Sequence, residues 1–142
     1  MYTIDQIEDA IITRLQAQIA GIKTCASLAD FLLDEIEDIT LRFPAVYVAY
    51  DGGSYSFKTN VCDRAMFFSV VVMDKNMRGE RQTRLGAYQL IMDVFSALIG
   101  QKCGLNIRPL LPVDERSLAG NETMAAYGIQ WKTSCRFIGV FG

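Results

Sequence analysis

Histidine is missing from this 142-residue sequence. Its absence removes the usual general base, the Ser–His and Cys–His nucleophile pairs and the commonest metal ligand. No G-x-x-x-x-G-K-[ST], G-x-G-x-x-G or G-x-S-x-G motif is present either, so the phosphate cradles and nucleophile elbow are absent with it. Cysteine is scarce and scattered: Cys25, Cys62, Cys103 and Cys135 form no C-x-x-C pair, which argues against a zinc site. Positive charge is in slight deficit, 14 Lys and Arg against 16 Asp and Glu, and the net charge of −2 disfavours broad capture of nucleic acid. No run reaches the roughly eighteen apolar residues that span a bilayer. The N-terminus, Met1-Tyr2-Thr3-Ile4-Asp5, has neither the basic region nor the apolar core of a signal peptide. These absences set an expectation: an intracellular, cytoplasmic protein without cofactor or metal, binding neither nucleic acid nor membrane, its thiols reduced and mostly buried. Asn121-Glu122-Thr123 matches a glycosylation sequon and carries no meaning for such a protein.

What is present is apolar and globular. Half of the residues (51%) are hydrophobic and 21% charged, far from the disordered range, and residues 1–142 have the length of one ordinary domain. Residues 65–100 organise the chain. Residues 65–73 are apolar, β-branched and aromatic, which predicts a strand buried on both faces. After a charged turn, Leu85, Tyr88, Met92, Phe95 and Ile99 recur at steps of three and four. This spacing predicts an amphipathic helix with that stripe in the core, widened by Ile91 and Leu98, and with Arg84, Gln89, Asp93 and Ser96 on the polar side.

Upstream, Thr3 and Gln6 suggest a capping box opening a helix whose core side is Ile4, Ile7, Ile11 and Leu15, ending near Gly21. Ser27 is expected to cap a second, shorter helix with Leu28, Phe31, Leu32 and Ile36 on one side. Its acids, Asp30, Asp34, Glu35, Glu37 and Asp38, lack calcium-loop spacing and read as a solvated face. Residues 43–50 form the first strong strand, entered at Pro44. Asp51-Gly52-Gly53 is a turn signal, followed by a short return strand over residues 54–58. Residues 105–111 are extended but limited by Pro109 and Pro112, and residues 113–122 read as a polar loop. The last strand, residues 123–138, alternates Tyr127, Ile129, Trp131, Thr133 and Cys135 with Ala126, Gly128, Gln130, Lys132 and Ser134. One of its faces is expected on the core and the other towards solvent or a partner. The order helix, strands, helix, strands predicts an α+β fold with a mostly antiparallel sheet, one long helix and one or two N-terminal ones.

One stretch breaks a local rule. Lys75, Arg78, Arg81 and Arg84 surround the start of the long helix, where positive charge opposes the helix dipole. They are the candidate partner-binding residues, a basic patch for an acidic protein surface. Gly52-Gly53-Ser54 offers a weaker alternative as an anion cradle.

The pattern F-P-A-V-Y-V-A-Y-D-G, R-A-M-F-F-S-V-V-V-M-D-K-N, G-A-Y-Q-L-I-M-D-V-F-S-A-L-I-G, I-R-P-L and A-A-Y-G-I-Q-W-K-T resembles a family of tail proteins of Mu-like phages and prophages. That family is similar in layout to the tail terminators of long-tailed phages. The resemblance covers roughly residues 41–137 and rests on layout rather than on a catalytic signature. It implies a non-enzymatic structural subunit working in the bacterial host and the virion tail. Such a subunit assembles with itself into a ring, a hexamer, which caps the tail tube and meets the tail tube protein and the head–tail connector. The alternative class is a small cytosolic ligand-binding or enzymatic α+β domain using Gly52, Gly53 and the arginines for a phosphorylated ligand.

Overall fold

The computed structural model of the chain describes residues 2–27, 43–75, 80–120 and 124–139; of residues 80–85, 119, 120 and 124 only the backbone is described. The elements are α1 (Ile4–Gln18), β1 (Thr24–Ser27), β2 (Ala45–Lys58), β3 (Val61–Lys75), α2 (Glu80–Leu98), β4 (Leu111–Gly120) and β5 (Met124–Ile138). The strands form one open, mixed sheet in the order β1-β2-β3-β5-β4, parallel between β1 and β2 and antiparallel elsewhere. This is the expected α+β architecture. The second helix expected after Ser27, with its acid cluster, lies outside the described residues, and Ser27 itself ends β1.

α1 forms where the capping signal stands. The Thr3 amide donates to Gln6 Oε1 at 2.9 Å and the Gln6 amide to Thr3 Oγ1 at 3.4 Å, satisfying two donors that the first turn cannot. Asp5 sits in that turn, its carboxyl held below the usual range first by the Thr3 side chain and then by nearby backbone amides. Ile7, Ile11 and Leu15 are buried, with Ile4 packed at their margin, and the chain leaves the helix before Gly21, which adopts a positive φ of 88°.

Both helices cover one face of the sheet: α1 packs on β1, β2 and α2, and α2 packs on β3 and β5. Between them lies the main core, where Val46 and Val48 of β2, Phe68 and Val70 of β3, and Ile129 and Trp131 of β5 meet the helices. Successive strand residues point to opposite faces, so Ala45, Tyr47, Met73 and Ala126 build a second, smaller buried cluster on the other face. β3 was expected to be buried on both sides. Instead its burial alternates: Met66, Phe68, Val70 and Val72 are buried, and Ala65, Phe67, Ser69 and Val71 only partly so. A single helix layer fully covers a single face.

Three further expectations require correction. Asp51-Gly52-Gly53 is not a turn: β2 runs straight through it as one 14-residue strand with a bulge between Tyr50 and Gly52. The chain reverses at Thr59 and Asn60, where Asn60 takes a φ of 63°. The expected polar loop over residues 113–122 is largely strand β4, an exposed edge strand that accommodates Pro112 and two register shifts. The third concerns α2. Its core side is Ala87, Leu90, Ile91, Val94, Ala97 and Leu98, whereas Tyr88, Met92, Phe95 and Ile99 are exposed by 46, 58, 38 and 40%. The helix carries two apolar stripes, and the one containing small residues packs on the sheet because alanines let the backbones approach. Leu85 belongs to the other stripe, and its side chain is not among those described.

α2 and β3 also meet at Gly86, where an added Cβ would overlap the Asp74 carboxylate. Burial pushes the Asp74 carboxyl above its ordinary 3.8, against a smaller pull from the Lys75 amide, which donates to Oδ1 at 2.8 Å. The folded chain therefore holds this proton more tightly than the unfolded chain does. Stability falls as pH rises from below 3.8 through the raised folded value, and stays lowered above it. Asp74→Asn is expected to raise the melting temperature at neutral pH and to flatten that fall, as melts recorded from pH 3 to 7 will show.

Candidate interaction surfaces

Beyond the helices, β2 and β3 continue as an antiparallel ribbon bordered by β5. Residues 53–60 are all exposed. Register places Tyr55 opposite Arg64 and Phe57 opposite Cys62, on the same side of the sheet as the helices. Tyr55 and Phe57 are each 64% exposed. The Arg64 guanidinium lies 5.6 Å from the centroid of the Tyr55 ring and is held charged first by its hydrogen bond to Tyr50. Tyr50 in turn leans on Phe68 at a centroid distance of 5.3 Å, anchoring the base of the ribbon to the core. On the opposite side, Arg136 grips Asp63 through two bonds of 2.7 and 3.0 Å and lowers the carboxyl's pKa. That pair is exposed, so it orients the ribbon more than it stabilises the fold.

The second surface is the outer stripe of α2. Tyr88 rests on Tyr127 at 5.7 Å and Phe95 on Trp131 at 6.1 Å, so the stripe stands above β5 on the side of the sheet that ends in β4. β4 itself is exposed from Leu111 to Leu118. The helix-free face carries a small polar cleft of about 240 Å³ in which Asp51 accepts from Ser69 and, at 3.2 Å, from Gln130, beside the Asp114–Arg116 pair. Two open clefts of about 580 and 610 Å³ share Asp63, Arg108, Ser134 and Arg136. The first is also lined by Cys135 and Lys102, and in both the Asp63 carboxylate is taken up by Arg136. Among the described residues no three His, Cys, Asp or Glu side chains cluster as metal ligands, and no helix is long and apolar enough to cross a membrane. The four cysteines are free; Cys62 is buried and the others half-buried, with the Cys25 thiol pushed up to about 11 by desolvation.

The structure places the basic stretch only in part. Lys75 ends β3 as an exposed residue opposite Met124. Arg81 and Arg84 lie in the first turns of α2, whose start at Glu80 puts them at the positive end of the dipole; their side chains, and Arg78 entirely, lie outside the described residues. The outer stripe of α2 was visible in the sequence but assigned to the core. The strand over residues 54–58 was legible in the alternation of Ser54 and Ser56 with Tyr55 and Phe57; its continuity with β2 and the exposure of its aromatic side were not.

The fold is a small α+β sheet with one helix layer and two exposed aromatic surfaces. The chain belongs to the family described as Bacteriophage Mu, Gp37, which it matches over residues 3–136. No curated protein is similar enough to match it. The expected resemblance to a Mu-like phage family is thereby met, and the chain is a phage protein.

Proposed function

We propose that this chain is a structural, non-catalytic subunit of a phage or prophage tail. It assembles into a ring, a hexamer, that caps the head-proximal end of the tail tube and joins it to the head–tail connector. The observation that carries the reading is family membership across nearly the whole chain. The fold supports it, because a ring subunit needs exposed surfaces that neighbours can cover, and the ribbon and α2 supply them. The subunit acts in the host cytoplasm during assembly and remains in the virion tail. Solution mass combined with negative-stain imaging tests the reading: a ring of six 15.9 kDa chains with a central opening is expected. A compact 15.9 kDa monomer that gains thermal stability from nucleotides or sugar phosphates supports a ligand-binding domain instead.

Within this reading the basic stretch of Lys75, Arg78, Arg81 and Arg84 faces an acidic surface of the tube or connector protein. Arg78→Glu with Arg81→Glu is expected to weaken that binding roughly tenfold or more, as removal of charge complementarity across an interface does. Ring mass should stay unchanged. Binding equal to wild type, measured by titration at low salt, would remove the patch from the interface.

A further inference from the structure

The two exposed apolar surfaces are different, and they lie towards opposite edges of one sheet. β2 is paired on its outer side only over Ala45–Val48, by β1; from residue 49 to its tip no described strand covers that edge. β4 closes the other side, and no described strand covers its outer edge either. The ribbon tip belongs to the first edge and the α2 stripe stands near the second. We propose that copies of this chain join head to tail, with Tyr55 and Phe57 of one copy seated on the outer stripe of α2 and the adjoining β4 of the next. The proposal rests on the self-assembling ring described above and names the surfaces that build it.

Three observations favour a second copy as the occupant. The first is size. Tyr55 and Phe57 are two strand residues apart, roughly 7 Å. Met92, Phe95 and Ile99 are spaced by about one helical turn, roughly 5 Å each. The two rings thus fit within the roughly 10 Å that separates Met92 from Ile99. The second is charge. The ribbon presents Arg64 beside Tyr55. From Gly86 to Ile99 the helix carries no Lys or Arg; its charged residue there is Asp93, and register places the exposed Glu115 of β4 on the same side of the sheet. A cationic aromatic tip meets the length of the stripe that acids border, beyond the arginines in the first turns of α2. The third is economy of burial. Pairing stripe with stripe about a two-fold axis brings two acid-bordered surfaces together and leaves both ribbon aromatics in water. Pairing ribbon with stripe covers both surfaces on every copy. Contacts between unlike surfaces propagate and close as rings when the rotation allows.

Because the two halves of the contact are on different surfaces, they can be broken separately and complemented. Tyr55→Glu with Phe57→Glu spoils the ribbon, and Met92→Glu with Ile99→Glu spoils the stripe; all four side chains are exposed, so wild-type melting is expected for both variants. Sedimentation or light scattering of the full chain should give assemblies larger than a dimer for wild type and 15.9 kDa monomers for each variant alone. An equimolar mixture should give a two-chain species, formed by the intact stripe of one variant and the intact ribbon of the other. Monomers only in that mixture, wild-type assembly by the ribbon variant, or a monomeric wild type would each overturn the proposal. Should either variant melt early, the corresponding serine substitutions replace it and are read identically. Failure of the ring is distinguishable: complementation together with open wild-type chains keeps this contact and removes the closed ring, whereas a ring that survives the ribbon substitutions keeps the ring and removes this contact.

Discussion

Trp131→Ala is expected to destabilise the chain by about 3–5 kcal/mol, the usual loss for a fully buried large aromatic. For a domain of this size that lowers the melting temperature by roughly 10 °C. Trp131 is completely buried on β5, flanked by Phe68 of β3 and Pro112 of β4 in the sheet and covered by Phe95 of α2 at 6.1 Å. It thus ties three strands to the long helix. Its indole N–H has no hydrogen-bond partner among the described residues. A buried donor in that state carries a desolvation penalty of about 1–3 kcal/mol. Trp131→Phe removes the donor with part of the ring, so the two effects oppose each other and a net loss below about 1.5 kcal/mol is expected. Chemical denaturation of both variants decides the point: an equal loss for Phe and Ala would mean that the N–H is satisfied.

Gly53→Ala is the second substitution with a large expected effect. A Cβ at this position would overlap the Ala65 carbonyl oxygen on the neighbouring strand and lie 2.9 Å from the Tyr50 hydroxyl. A backbone carbonyl cannot turn aside as a flexible side chain can, so β2 and β3 must separate at the base of the ribbon. A loss of about 1–3 kcal/mol is expected, the usual range for overpacking. Gly139→Ala is the control, since nothing lies within 4 Å of a Cβ there and its φ is not positive; it should stay within about 0.5 kcal/mol of wild type. Because the displaced strand carries Tyr55, Gly53→Ala should also weaken assembly, visible as a lower mean mass at fixed concentration.

Gly53 also shows where sequence reasoning stops. A glycine pair between two apolar runs reads as a hairpin turn, yet the same residues serve a bulge in which the strands approach closely. Only the cross-strand neighbour distinguishes the two, and the sequence does not name it. β4 was obscured similarly: Pro112, Asp114, Glu115 and Arg116 look like a loop because an edge strand shares its composition with one. Four-residue β1 is too short for a periodic signal and is held by its parallel pairing to β2. By contrast, α1 was legible down to its capping box, and β5 was legible because Ile129, Trp131 and Thr133 alternate strictly into the core.

The α2 stripe is the instructive error. Tyr88, Met92, Phe95 and Ile99 satisfy every helical spacing rule, and so do Leu90, Ile91, Val94 and Leu98. Periodicity reports that a face is apolar, not what covers it. A helix with more apolar face than one sheet can bury is itself a signal of a second partner. That signal, together with the ribbon, turns a misassigned core into the candidate interface.

The reading of this chain as the cap of a phage tail is tested most directly on the tube itself. Purified chain is added to the polymerising tail tube protein of the same phage or prophage, and tube lengths and ends are measured by negative-stain microscopy. Tubes that shorten as more chain is added, each carrying a ring at one end, are the expected result. Tubes of unchanged length with bare ends would contradict it.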